Sequence, residues 1–236
     1  MREGITISTR YYWKKIRIIL LVLAFAFTWF LLVMAITSNK NGNMTIYVDN
    51  TTATRTLSLS ESITLSNPSG RLEGPALTNA WDEVEDNIPS YSDLLDGNTS
   101  VNEGKPINPD AEIRTTKNYI AYTFYLYNSG SESLNYTMSF NIDSKEKDAD
   151  TMIRVRLYED GVLTTYAKAK SNGSPEYRTT AFASEDVIAY REYEDFKVNQ
   201  VRKYSIVIWI DANDSDTTNE KIGGSLVLSI HFKVVD

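Results

Sequence analysis

The stretch Asp211-Ala-Asn213-Asp214-Ser-Asp216-Thr-Thr-Asn-Glu220 is the densest cluster of oxygen donors in the chain. Hard cations take carboxylate, amide and carbonyl oxygens, and a loop can wrap them. Asp211, Asn213, Asp214, Asp216 and Glu220 are therefore candidate calcium ligands. The spacing is not that of an EF-hand: Ser215 stands at the fifth position, no Gly follows, and strand-like sequences replace the flanking helices. Asp, Asn, Ser and Thr are also ordinary turn formers, so a solvated strand-to-strand connection is the competing expectation. The single histidine, His231, sits on the polar-looking face of the last apolar run. No GxSxG elbow accompanies it, so a Ser-His-Asp triad is not expected. Trp209 and the Tyr-rich run Asn118–Asn128 have the chemistry of a carbohydrate platform, but aromatics on central strands ordinarily fill a core. Trp81, in an irregular stretch, is expected to be a packing plug.

Absent residue types narrow the chemistry further. With no cysteine, disulfides, thiolate zinc sites and cysteine nucleophiles are excluded. One histidine excludes an HExxH zinc site. No catalytic set emerges, and no cofactor other than calcium is expected. A polymer hydrolase would have to draw its paired carboxylates from Asp211, Asp214 and Asp216. The 236 residues carry 24 basic and 31 acidic side chains, net −7, a balance that argues against nucleic acid as a partner.

Positioning begins with a membrane element. Ile18 to Ile36 is 19 residues without a charge. As a helix it would span roughly 28 Å, against a bilayer core of about 30 Å. Arg2, Arg10, Lys14, Lys15 and Arg17 precede it with one acid, Glu3, whereas only Lys40 follows before Asp49. Positive charge stays cytoplasmic, so residues 1–17 are expected inside, 18–36 across the membrane, and the rest outside. Tyr11, Tyr12 and Trp13 suit the inner headgroup belt. Val33-Met34-Ala35 also fits a signal-peptidase site, although cleaved signals have shorter apolar regions. Beyond residue 36 there remain 19 bases and 30 acids, net −11. An exported eukaryotic domain of this size usually carries disulfides, so a bacterial envelope, Gram-positive in type, is expected. The six Asn-x-Ser/Thr sequons, at Asn43, Asn50, Asn98, Asn135, Asn172 and Asn213, then carry no meaning of their own.

The exported part, 44–236, reads as strands after a polar tether at 37–43. Met44–Val48 and Thr56–Leu65 have apolar residues mostly spaced by two, with Leu57, Leu59, Ile63 and Leu65 on one face. Residues 66–112 hold five of the six prolines and form a long irregular excursion, expected to be mobile, with one helical turn near Ala80–Asp86. Asn118–Asn128 looks apolar on both faces, as a central strand does. Leu134–Asp143 alternates cleanly. Met152–Tyr158 has Ile153, Val155 and Leu157 inward and Arg154 and Arg156 outward. Asp160-Gly161 signals a hairpin into Val162–Ala167. Tyr177–Ala183 is a weaker strand. Val201–Asp211 and Ser225–Val235 complete the set, with Val207 and Trp209 opposite the isoleucines of the first. Eight to ten strands with short turns predict an all-β, exported β-sandwich, immunoglobulin-like or jelly-roll, behind one N-terminal transmembrane helix.

Tyr204-Ser-Ile-Val-Ile-Trp-Ile-Asp-Ala-Asn-Asp-Ser-Asp216, followed by Ile222-Gly223-Gly224-Ser225, resembles a pattern in signal-anchored surface proteins of Gram-positive bacteria. There a strand ending V-W-L/I-E/D-G precedes an acidic N/D-D-P-D-C loop and a G-G strand start. Asn118–Asn128 is similar to the central strand of the same proteins. More distantly, the layout resembles camelysin/TasA-like surface and matrix proteins. Thr217 stands where the pattern has Cys, Ser215 where it has Pro, and Ala212 where it has Gly, so a role for that Cys does not carry over. The camelysin likeness implies protease activity, but no zinc ligand set supports it here.

These readings converge on a non-enzymatic, single-pass envelope protein with a binding or structural role. Its partners would be the membrane, another envelope protein, or further copies through unpaired edge strands. A secreted matrix-fibre subunit released by cleavage after Ala35, a cell-wall-polymer hydrolase and a sensory ectodomain are the alternatives. The 17-residue basic tail is too short for a folded output domain.

Overall fold

The structure, a computed structural model, describes residues 13, 16–25, 27–28, 44–74, 82–94, 96–98 and 118–235. The chain divides into two compact units, Met1–Lys40 and Asn41–Asp236. In the first, residues 16–25 are helical. No helix among the described residues is long and apolar enough to cross a membrane. Much of the 18–36 span lies outside the described residues, as do most of the 1–17 tail, the 37–43 tether and Trp81.

The second unit is built from two sheets. One has the order β10-β6-β12-β1-β3: Val187–Phe196, Leu134–Lys145, Leu226–Val235, Met44–Asp49 and Arg71–Glu73. The other runs β2-β5-β11-β7-β8-β9: Leu57–Ser60, Tyr119–Asn128, Val201–Ile210, Ile153–Glu159, Val162–Ala167 and Thr180–Ala181. The short β4, Gly97–Asn98, also pairs with β5. Most pairs are antiparallel; β1 with β12 and β8 with β9 are parallel. Asp160 and Gly161 both have positive φ, 48° and 87°, the primed turn that a two-residue hairpin between β7 and β8 requires.

Period-two alternation sets the core. Leu134, Tyr136, Met138, Phe140 and Ile142 of β6 are buried, while the residues between them are partly exposed. They share one cluster with Leu228, Ile230, Phe232 and Val234 of β12 and with Ile120, Tyr122, Phe124 and Leu126 of β5. Tyr204, Ile206 and Ile208 of β11 and Ile153, Val155 and Leu157 of β7 complete it. Aromatic rings mark its middle: Phe124 stacks on Tyr204 at 5.4 Å, and Tyr204 lies 5.1 Å from Phe232. Each large side chain so buried stabilises by about 1.5–3 kcal/mol. The Tyr136 and Tyr204 hydroxyls are paired at 3.2 Å, and Arg202 donates to Tyr136 at 2.9 Å, so these buried hydroxyls stay satisfied. Burial pushes the Tyr136 hydroxyl up to about 12.

The seven-stranded sheet buries its other face as well. Ala121, Val207, Trp209 and Tyr158 form a second apolar cluster with Ile88 and Leu94. Ile88 and Leu94 belong to the segment 82–94, which lies over this face as a third layer before the chain joins the sheet as β4. That explains why β5 and β11 look apolar on both sides.

Several expectations are corrected by this architecture. Residues 56–65 are not one strand: β2 ends at Ser60, and Ile63 is 67% exposed. The Ser60 hydroxyl turns the chain there, donating to the carbonyls of Ser62 at 3.1 Å and Ser66 at 3.0 Å. Within the excursion, Arg71–Glu73 pairs with β1, and short 3-10 turns form at Glu85–Asn87 and Tyr91–Asp93; residues 75–81, 95 and 99–112, including the start of the turn expected at 80–86, lie outside the described residues. Arg154 and Arg156 do point away from the main core, yet both are buried rather than solvated, Arg154 against Asp211 and Asp214 and Arg156 against Glu85 of the third layer. Val187–Phe196 is a ten-residue strand with no clear sequence signal, because register shifts between Val187 and Ala189 and between Tyr193 and Phe196 break its period of two. The Tyr177–Ala183 strand shrinks to Thr180–Ala181.

Candidate functional site

The acidic loop leaves β11 at Ile210 and folds back on itself. The Asp211 carboxylate accepts the Asn213 N–H at 3.0 Å, and that of Asp214 accepts the Asp216 N–H at 2.9 Å. These are Asx turns, the local reason such residues form a tight connection. The Thr217 hydroxyl donates to the Asp211 carbonyl at 2.8 Å and closes the loop.

Arg154 sits at the loop's centre. The register of β7 with β11 sets Arg154 opposite Trp209, and Ile153 opposite Ile210. The guanidinium therefore emerges beneath the first turn of the loop. Its Nε lies 3.3 Å from Asp211, and its Nη2 lies 2.7 Å from Asp214 and 3.8 Å from Glu176. The Arg154 side chain is 6% exposed and that of Asp214 1%. Lys170 reaches Glu176 at 3.5 Å from outside. Charge–charge attraction across so little water is strong, and the loop is organised by a cation the chain itself supplies.

Of the five residues named from sequence, the structure gathers Asp211 and Asp214 on Arg154. Asp214 and Asp216 also bring ligand oxygens within 4.8 Å of one another together with Glu176. Asn213 and Glu220 are exposed and outside that trio. Glu176 had no signal in the sequence, because it arrives from the turn before β9. Arg154 and Arg156 read from the sequence only as outward-facing residues of their strand, with nothing to tie them to the loop.

The third layer docks next to this loop. Glu83 bridges to it through the backbone: its N–H donates to the Ile210 carbonyl at 2.8 Å, and its carbonyl accepts the Ala212 N–H at 3.0 Å. The Glu83 carboxylate accepts the side-chain amides of Asn87 at 2.7 Å and Asn118 at 2.9 Å. Arg156 donates to Glu85 at 2.5 Å and lies over the Trp209 indole, 5.2 Å from the ring centroid. Trp209 is thus a buried anchor of the outer face.

A second ionic cluster lies at the β6–β7 connection. Asp150 is fully buried and accepts Lys145 at 3.1 Å and Lys168 at 2.7 Å. Glu185 also takes both lysines, at 2.6 and 2.7 Å. The hydrogen bonds from Lys145 and then Lys168 hold the Glu185 carboxyl down to about 2, from an ordinary 4.5. A depressed carboxyl contributes stability that is present above pH 4.5 and lost as pH falls toward 2. Glu185→Gln is therefore expected to lower the Tm of the chain at neutral pH. The gap to the unchanged chain should close as pH is taken from 4.5 to 2 in an acid-unfolding series. A gap that stays constant over that range would exclude this role.

His231 lies on the other sheet. It stacks on Tyr47 at 4.4 Å, with Asp49 4.0 Å from its Nε2, and burial lowers its pKa. No serine hydrogen-bonds to it among the described residues. Comparison with family models, with curated proteins and with solved structures finds no match to this chain.

Proposed function

We propose that this chain is a single-pass envelope protein with a cytoplasmic N-terminus and an exported β-sandwich, immunoglobulin-like or jelly-roll, that binds or scaffolds other envelope components without catalysis. The observation that carries this reading is an order. Five basic residues come first, then 19 uncharged residues at 18–36, and then a compact two-sheet unit without cysteine. The likeness to signal-anchored surface proteins of Gram-positive bacteria points the same way.

Strand addition is the proposed mode of contact, and the edges differ in their suitability. β10 is long but carries Arg191, Glu192, Glu194 and Asp195 and two breaks in register, which are devices that discourage pairing. β9 pairs only with Tyr166 and Ala167, so Val162–Thr165 of β8 has a strand on one side alone among the described residues. That run is uncharged, and Val162 and Leu163 are 70% and 48% exposed. Crosslinking on intact cells is expected to give an adduct with an envelope protein or a second copy, and Leu163→Lys is expected to abolish it. A protein that stays monomeric and uncrosslinked on the cell would overturn the proposal.

Calcium at the 211–220 loop is a second reading, narrowed by geometry to Glu176, Asp214 and Asp216. Its test is a rise in Tm with added calcium that Asp216→Asn removes. No rise leaves Arg154 as the loop's cation.

A further inference from the structure

We propose that the outer face of the seven-stranded sheet is a docking surface for an acidic peptide, occupied in cis by residues 82–98. The inference is independent of where in the cell the chain resides and of strand addition at β8.

Charge is the first argument. Residues 82–98 contain six acids, Asp82, Glu83, Glu85, Asp86, Asp93 and Asp96, and no base. The face beneath presents Arg156 to Glu85 at 2.5 Å, and Lys203 lies 5.0 Å from the Tyr91 ring centroid. Arg154 stands beside them under Asp211. An all-acidic segment lying on an arginine- and aromatic-lined sheet face is a complementary pair, and complementarity of this kind sets partner choice.

The segment's grip is the second argument. Among the described residues of the segment, Ile88 and Leu94 are the buried aliphatics in the contact. Much of the remaining hold is polar: Tyr125 donates to the exposed Asp96 at 2.6 Å, and Asn118 to the buried Glu83 at 2.9 Å. Two aliphatic anchors and carboxylate contacts from Glu83, Glu85 and Asp96 are how an acidic peptide would be held.

Unfilled hydrogen bonds are the third. Trp209 Nε1 and Arg156 Nε are buried donors without a partner, and the Asn118 Oδ1 is a buried acceptor without one. Trp209 is 2% and Arg156 7% exposed. A buried donor left unpaired costs free energy, so an occupant that offers acceptors there fits this face better than 82–98 does. A peptide supplies such acceptors as backbone carbonyls and carboxylates. The chemistry selected is an acidic peptide with two aliphatic residues placed like Ile88 and Leu94.

The probe is a dye-labelled synthetic peptide of the sequence 82–98, titrated into the full chain. The tethered segment competes at an effective concentration in the millimolar range, so the unchanged chain is expected to bind the peptide weakly. Ile88→Ala with Leu94→Ala weakens the tethered copy and leaves the face intact. It is expected to tighten peptide binding by about tenfold or more, with a change in tryptophan emission. Glu85→Gln, which removes the charge facing Arg156 at a half-exposed side chain, is expected to tighten it in the same direction. Unchanged peptide affinity in both variants, with native circular dichroism, would overturn the proposal. So would equal binding of a scrambled peptide, which would reduce the contact to bare charge attraction.

Discussion

Arg154→Met is expected to destabilise the full chain by about 3–5 kcal/mol, the cost of removing one partner from a buried ion pair. Methionine keeps much of the length and the apolar contacts but none of the charge. Asp214, 1% exposed, would lose its 2.7 Å partner and Asp211 its 3.3 Å one, with Lys170 left to reach only Glu176, at 3.5 Å. Urea denaturation followed by far-ultraviolet circular dichroism measures the effect as a shift in midpoint at constant slope. Asp214→Asn is expected to cost less, because the guanidinium keeps Asp211. A loss below about 1 kcal/mol for Arg154→Met would place the pair in the class of solvated surface ion pairs.

Trp209→Ala is expected to cost about 3–5 kcal/mol, as large buried aromatics do when truncated. The side chain is 2% exposed and lies in the second apolar cluster with Ile88 and Leu94. Its removal leaves a cavity between the sheet and 82–98 and takes the ring from beneath Arg156. The consequence is local as well as global: limited proteolysis should cut within 82–98 before the strands are attacked. Phe232→Ala, in the main core, is expected to cost a similar amount without exposing 82–98, since Phe232 packs on Tyr204 and Phe124 from the other sheet. Equal cleavage patterns in the two variants would show that Trp209 does not hold the outer layer.

Strands whose alternation has one buried face were legible in the sequence. Leu134–Asp143, Met152–Tyr158 and Ser225–Val235 were placed within two residues of β6, β7 and β12, and Asp160-Gly161 marked the hairpin. Two kinds of element were not legible. β10 has two breaks in register and a charged run at Arg191–Asp195, so no period survives along it. The 82–98 layer follows no strand or helix period at all; its position is fixed by long-range contacts from Glu83, Glu85 and Asp96. At the candidate site, the acids of 211–216 were visible as a cluster. Their counter-ion was not, because Arg154 lies nearly sixty positions upstream and reads as one of two solvated arginines. Asn213 and Glu220 offer donor oxygens in the same run, but both are exposed.

The account's central claim is an exported two-sheet unit held by an uncut anchor at 18–36. The most direct measurement combines the intact mass of the protein from membrane fractions with protease treatment of whole protoplasts. The account predicts a full-length mass and digestion of the part beyond residue 43 without cell lysis. A mass beginning at Ile36 with the protein in the medium, or a C-terminal part protected until the membrane is broken, would contradict it.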